Sequence, residues 1–484
     1  MASDTTISVV PGHSLGFMTL GSSLHEVLTT LKDEPDRYPK IDLSMSQHLP
    51  LHTPVIVSLP ENGIRLRFDG PDQRLRLIEV MDFDKARVAY KGSELVKEGS
   101  TATFKRIYQL FGASYPGEYL PPTSARAGTY TLSWSGVAFT FPLQHSAWAP
   151  DKDHVSLLGS HAASPATFMA LFEGSSWPEA RSTLFVKTPD GPRTSAIVSQ
   201  PRDALPAEIE EARISGAGKL ELVRRAPALP FHILLGRTTP QDLLTELGPP
   251  DAHHKRDTQA VTDQPVHARP RSTSRSNGRV HATPPSSYSS TGTDTYDTDF
   301  DSGDAEDEAA ERAGRETFWS YFSHGMDILV APSHDGTSYP EELAHLPRTP
   351  LSSSPHLVVL KVIIHGNVPG SYAFNRHRRL RWQLSLRGAS SVLNSEHTFE
   401  QLQPDLMQAF KGIWPESEMG RGKVINRTWG GSPSDSSFFL PDTDTDLVEG
   451  SGSENFIDNS KLHNFPGLTF EVLSNGAISA LTVS

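Results

Sequence analysis

Apolar positions along this chain switch between a helical period and a strand period, and the switch repeats. Leu24, Val27, Leu28 and Leu31 share one helical face behind a possible capping box of Ser23 and Glu26. Ile64, Leu66 and Phe68 then alternate as in a strand, the Asp69-Gly70-Pro71-Asp72 run signals a turn, and Leu75 and Leu77 resume the alternation. A second unit places Phe104, Ile107, Tyr108 and Phe111 on a helix stopped by Gly112, followed by strands at 130–134 and 137–141. A third begins with Thr239 as cap, Pro240 in the first turn, a stripe of Leu243, Leu244 and Leu247, and Gly248-Pro249 as the stop. Its strands are expected at 318–330 and 357–364. The fourth has a weaker helix, 404–411 before Gly412, and a hairpin in which Asn475-Gly476 separates the apolar runs 468–473 and 477–483. Both the first and third helices follow a strand-like run ending in Gly, at Leu20-Gly21 and Leu235-Gly236.

These repeats predict an α+β fold built from duplicated helix-plus-antiparallel-hairpin units, arranged as two related halves with a β-rich middle. The halves are expected at 1–150 and 229–484, joined by a β-rich bridging segment, 151–228, with strands at 183–187 and 219–223. Two disordered insertions, 252–314 and 415–460, interrupt the second half. Between 251 and 311 there is no Leu, Ile, Met or Trp, so little apolar area is available to offset the entropy of ordering. That stretch is charge-segregated, with arginines first and aspartates later, and its many Ser and Thr hydroxyls invite phosphorylation.

Composition narrows the function classes. A net charge of −13 argues against broad attraction to nucleic acid or anionic lipid. The absence of cysteine removes disulfides, thiolate metal sites and a cysteine nucleophile. Together with an N-terminus lacking a basic and then apolar leader, this predicts a cytoplasmic protein.

Chemical motifs are sparse. Gly12-His13-Ser14-Leu15-Gly16 has the G-x-S-x-G form of a hydrolase nucleophile elbow, but only eleven residues precede it, too few for the strands such an elbow requires. A serine hydrolase is therefore an alternative and not the main reading. The twenty histidines include the pair His253-His254 and the turn residue His334, with no spacing typical of a metal site. No cofactor is expected. The best candidate for a specific site is the loop after the apolar strand at 357–364, containing His365, Asn367, Pro369, Gly370, Tyr372, His377 and Arg378. It echoes the earlier run from Gly112 through Tyr115, Pro116 and Gly117 to Tyr119. Such a loop serves either as a Pro-Gly turn packed on the sheet or as an exposed polar and aromatic surface for a partner. Arg376, Arg378, Arg379 and Arg381 form a further candidate, a basic patch for direct phosphoinositide binding.

Several of these runs, in their order and spacing, resemble the eukaryotic phagosome assembly factor family, a lin-10-like group. In the first half they are Ser14-Leu15-Gly16 to Thr19-Leu20-Gly21, the hairpin from Asn62-Gly63 through Asp69 and Gln73-Arg74-Leu75 to Ile78-Glu79-Val80, and Phe111-Gly112 to Glu118-Tyr119. In the second half they are Tyr321-Phe322, Gly325-Met326-Asp327-Ile328-Leu329, Ile364-His365-Gly366-Asn367, Pro369-Gly370-Ser371-Tyr372 and His377-Arg378. Where the family often carries Cys after His-Arg, this chain has Arg379. The resemblance implies a non-enzymatic autophagy adaptor that works with a WD-repeat β-propeller protein. It also implies recruitment to preautophagosomal membranes displaying phosphatidylinositol 3-phosphate, with indirect membrane contact and no nucleic acid.

Overall fold

The computed structural model describes residues 6–97, 99–122, 127–186, 206–216, 218–225, 228–255, 316–333, 356–386, 391–415, 421–425 and 460–484. The Ser/Thr-rich run after Lys255, the run after Ile425, and His334 lie outside them.

The first half opens with β1 (Ile7–Val10), β2 (Ser14–Leu15), β3 (Met18–Thr19) and α1 (Leu24–Asp33). A four-stranded meander follows: β4 (Asp42–Ser44), β5 (Val55–Leu59), β6 (Ile64–Phe68) and β7 (Leu75–Val80). Then come β8 (Val88–Tyr90), β9 (Ser93–Glu94), α2 (Phe104–Phe111), β10 (Glu118–Leu120), β11 (Ala127–Trp134), β12 (Val137–Gln144), α3 (His154–Leu158), β13 (Phe168–Leu171) and α4 (Trp177–Thr183). Eight of these strands form one sheet, β10-β11-β12-β13-β7-β6-β5-β4, in which two meanders join edge to edge through the antiparallel β7–β13 pair. The other five form β3-β2-β1-β8-β9, joined by the parallel β1–β8 pair.

The second half repeats this order. It runs β14 (Ile209–Ser215), β15 (Lys219–Arg224), β16 (Phe231–Leu234), α5 (Pro240–Leu247), β17 (Ala252–Lys255), β18 (Thr317–Tyr321), β19 (Met326–Pro332) and β20 (Leu357–His365). It continues with β21 (Arg381–Ser385), β22 (Leu393–Asn394), α6 (Phe399–Ala409), β23 (Lys423–Ile425), β24 (Ser460–Phe465), β25 (Leu468–Val472) and β26 (Ile478–Val483). Its sheets, β16-β15-β14-β21-β22 and β17-β18-β19-β20-β26-β25-β24-β23, match the first pair strand for strand, including the parallel β14–β21 pair. Individual bonds repeat as well. The Gly21 N–H donates to the Leu75 carbonyl at 2.8 Å, and the Gly236 N–H donates to that of Val359 at 2.7 Å. Both glycines have positive φ, as the sharp strand-to-helix entry requires. The α+β architecture with two related halves is thus present, and α3 and α4 are the helices without a counterpart among the described residues.

Each half has its own core, made from the inner faces of its two sheets and the apolar stripes of its two long helices. The Leu24, Val27, Leu28 and Leu31 stripe of α1 is buried behind a Ser23 cap that accepts the Glu26 N–H. Thr239 and Asp242 cap α5 reciprocally, an arrangement worth about 1 kcal/mol. No described helix is long and apolar enough to cross a membrane.

Several sequence expectations need correction. The fourth helix begins at Phe399, behind a Thr398–Gln401 capping box, and Pro404 sits inside it; a proline that marks a helix start can also occupy a later turn at the loss of one hydrogen bond. The strand expected at 183–187 is not present at Thr183, which ends α4, a helix opened by Trp177-Pro178; Lys187 lies outside the described residues. The apolar run 318–330 is a hairpin, β18–β19, reversed at His324-Gly325. The polar insertions are narrower than composition implied, since β17 and β23 are edge strands and β24 begins at Ser460. His253, His254, Lys255, Lys423 and Val424 are exposed, so these edge strands read as loop. Strands within 151–228 divide between the halves, β13 entering the first eight-stranded sheet and β14 and β15 the second five-stranded one. Finally, the run at 112–119 links α2 to β10 while the run at 365–372 links β20 to β21, so their likeness does not reflect equivalent positions.

Candidate functional site

The β20–β21 connection, residues 366–380, folds back onto the β6–β7 turn of the first half. That turn is organised by Asp69, whose carboxylate accepts the N–H groups of Asp72, Gln73 and Arg74 and the Arg76 guanidinium. The connection uses Asn367 and Asn375 in left-handed conformations, which asparagine tolerates better than most residues. The Asn367 side chain accepts the Asn375 N–H at 2.7 Å, closing the loop on itself.

The two turns are bonded across the halves. Gln73 donates its side-chain amide to the Asn367 carbonyl, and Asn367 donates its own to the Gln73 Oε1, both at 2.8 Å and both buried. Arg379, 2% exposed, donates to the carbonyls of Pro71, Gly366 and Ser395, to the Ser395 hydroxyl and to Glu396. Arg381 bridges Asp72 and Glu396. Glu208 lies between Arg74 at 2.8 Å and Arg378 at 2.7 Å, all three largely buried. Val368 packs with Leu51 and Ala477 in a small apolar cluster, and Phe374 packs on the first core. This is a seam between halves, satisfied by paired charges as buried ions require.

On the other side of the same connection, the Asp327 carboxylate accepts from His365 Nε2 at 2.8 Å and His377 Nε2 at 2.9 Å. The two imidazoles stack, ring centres 3.8 Å apart and 13° from parallel. Burial disfavours the ionised carboxylate, but the two imidazole donors outweigh it and hold Asp327 well below the usual range. Burial pushes the His377 imidazole down to about 4, against the pull of Asp327. The two imidazoles thus clamp one carboxylate, oxygen by oxygen, much as a guanidinium would. Asp327, His365 and His377 could also supply a metal, their ligand atoms lying within 4.8 Å of one another. Stacked rings, however, aim their Nε2 lone pairs side by side, whereas a metal ion needs them to converge at about 2 Å. The arrangement suits hydrogen bonding to the carboxylate.

A pH dependence follows from the clamp. Unfolded His377 takes up a proton near pH 6.5, but the folded chain resists until about 4, so stability is full above 6.5 and falls as pH drops through that window. Thermal melts between pH 7 and 4 should show this decline, and His377→Gln should flatten it. An unchanged slope in the variant would remove His377 as its cause.

The seven sequence-selected residues thus separate. Asn367, Pro369, His377 and Arg378 are buried, His365 and Gly370 are half-buried, and Tyr372 is 38% exposed beside exposed Arg376. The basic patch does not lie open: Arg378 and Arg379 are buried in the seam, and Arg381 is held by two carboxylates. Sequence reasoning missed Asp327, Gln73, Asp72 and Glu208, whose partners lie far away along the chain; an acidic residue opening an otherwise apolar strand was the one signal for Asp327. Ser14 is buried in the β1–β2–β3 meander and is followed by strand, not by the helix of a nucleophile elbow.

With this geometry in hand, the comparisons with known proteins decide the family. The model of the phagosome assembly factor 1 family matches residues 14–278 and 302–484. The chain belongs to the phagosome assembly factor 1 family. A family protein from Arabidopsis thaliana is 23% identical over 486 residues, 99% of this chain and 93% of that protein. One from Drosophila melanogaster is 29% identical over 183 residues, 36% of this chain and 40% of that protein. One from Caenorhabditis elegans is 29% identical over 123 residues, 25% of this chain and 28% of that protein. No solved structure matches the chain. The matched regions of this phagosome assembly factor 1 member include both turns of the seam and the Asp327 clamp.

Proposed function

We propose that this chain is a non-enzymatic adaptor in phagosome assembly, cytoplasmic and recruited to preautophagosomal membranes through a WD-repeat β-propeller partner. Family membership supports the assembly role. The observation that carries the adaptor reading is the loop itself, in which Tyr372 and Arg376 face outward from a connection whose neighbours on both sides are locked into the seam. An exposed aromatic beside an arginine on a rigid support is the composition of an interface anchor. The commitment of Arg378, Arg379 and Arg381 to carboxylates supports indirect contact with phosphatidylinositol 3-phosphate membranes over direct binding. The buried hairpin position of Ser14 weighs against a hydrolase.

The test is capture of a purified WD-repeat propeller protein by the purified full chain. Tyr372→Ala with Arg376→Ala should reduce capture at least about tenfold, the equivalent of one modest interface anchor, while the melting temperature holds. Equal capture by the variant would exclude this loop as the interface, and specific labelling of Ser14 by a serine-directed probe would count against the non-enzymatic reading.

A further inference from the structure

Backbone strain is concentrated at the seam. Among the described residues, four other than glycine have positive φ, and three of them, Gln73 at 51°, Asn367 at 44° and Asn375 at 60°, make one bonded series across the two halves. Left-handed backbone is costly for any residue with a β-carbon, though less so for asparagine, and it persists where surrounding contacts hold it. On the first-half side the holding is local: the Asp69 carboxylate accepts the Gln73 N–H, and the Gln73 carbonyl accepts the Leu24 N–H. Gln73 is therefore a fixed arm of its turn. On the second-half side the holding comes from a distance. Asn367 is held by its two Gln73 bonds, and Asn375 by the Asn367 side chain and by His25 of α1, whose Nδ1 lies 3.0 Å from the Asn375 carbonyl. Phe374, next to Asn375, packs on the first core.

Residues 367–376 thus form a strap, anchored at one end by the Gly366 N–H on the Ser479 carbonyl and at the other by the Asp327 clamp on His377, and shaped in between by the other half. This shape leaves polar atoms unsatisfied. Asn375 Oδ1 and His377 Nδ1 are buried without a hydrogen-bond partner among the described residues, and each such atom is a store of free energy. Left-handed backbone, orphaned polar atoms and holding from a distance coincide in this segment, as in an element with a second conformation close in free energy.

We propose that the strap 367–376 has two states and that Gln73 is its latch. In the latched state, the one in the structure, Tyr372 and Arg376 are presented outward from a fixed backbone. In the released state Asn367 and Asn375 return to ordinary backbone angles, and Tyr372 and Arg376 lose that fixed presentation. The regulatory consequence rests on the adaptor reading: a partner that reads Tyr372 and Arg376 binds the latched state, so latching and capture are linked reciprocally.

The chain has no cysteine, so Ser371→Cys places a single nitroxide spin label on the strap of the otherwise intact chain. Its spectrum resolves held and mobile populations. Gln73→Asn keeps a residue that tolerates the left-handed turn but is one methylene too short to hold both bonds. It should raise the mobile-to-held ratio about tenfold, the worth of one to two buried hydrogen bonds. Asn375→Gly should act in the opposite sense, since glycine has no penalty for positive φ, the orphaned Oδ1 is gone, and the backbone bonds to Asn367 and His25 remain. A segment that is only structural would loosen with either substitution. An unchanged ratio with Gln73→Asn, or more mobility with Asn375→Gly than in the parent chain, overturns the proposal. Capture of the purified propeller protein is the second measurement, and Gln73→Asn should weaken it in proportion to the held fraction lost. Capture that stays constant while the held fraction falls would overturn the linkage. Absence of capture by the parent chain, with the label responding as stated, would count against the adaptor reading and leave the strap standing.

Discussion

Phe470→Ala is expected to lower the stability of the chain by about 3–5 kcal/mol, the cost of deleting a large aromatic from a packed core. Phe470 is fully buried at the centre of the second core, with Trp382, Phe399 and Phe465 around its ring. The register places Phe139 at the same position in the first half, also fully buried and ringed by Phe111 and Trp134. Phe139→Ala should therefore cost a similar amount. Urea denaturation of the two variants measures both, and a loss below about 1 kcal/mol in either would mean that its core collapses to fill the cavity.

Arg379→Met should be comparably costly for a different reason. A methionine fills much of the same space, but it leaves the carbonyls of Pro71 and Gly366 without this donor and takes one of two guanidinium partners from the Glu396 carboxylate. Removing one member of a buried charged set costs about 3–5 kcal/mol, because the remaining partners stay desolvated. Since Pro71 belongs to the first half and Glu396 to the second, the variant should also loosen the seam. Hydrogen exchange at Gln73 and Asn367 would report this, and protection unchanged from wild type would show that Arg379 does not hold the halves together.

What could be read from the sequence follows the range of the interactions involved. The helices α1 and α5 were visible because cap and stripe, and for α5 the Gly248 stop, lie within a dozen residues. The β25–β26 hairpin was visible because Asn475-Gly476 joins two runs that pair with each other. Edge strands β17 and β23 were not, since one-sided pairing leaves their side chains exposed and polar. Pro404 masked the start of α6 by mimicking a start signal itself. In the candidate site, the loop was legible as a turn with chemistry, but its partners were not. The Asp327 clamp spans 38 and 50 residues, and no local period links such positions. The role of Arg379 could not be understood until its carbonyl partners were in place.

The Gln73–Asn367 bond has a consequence for the making of the protein. Its partners are 294 residues apart, whereas the first half completes both of its sheets by Leu171. At synthesis rates of about 5 to 20 residues per second, roughly 15 to 60 seconds separate the appearance of the Asp69-to-Arg76 turn from that of the loop that caps it. Throughout that interval, a finished first half on the ribosome presents Gln73 and the Pro71 carbonyl to solvent. The seam cannot form until residues 366–381 have emerged, and until then this turn of the nascent first half is open to a chaperone or to a mistaken partner.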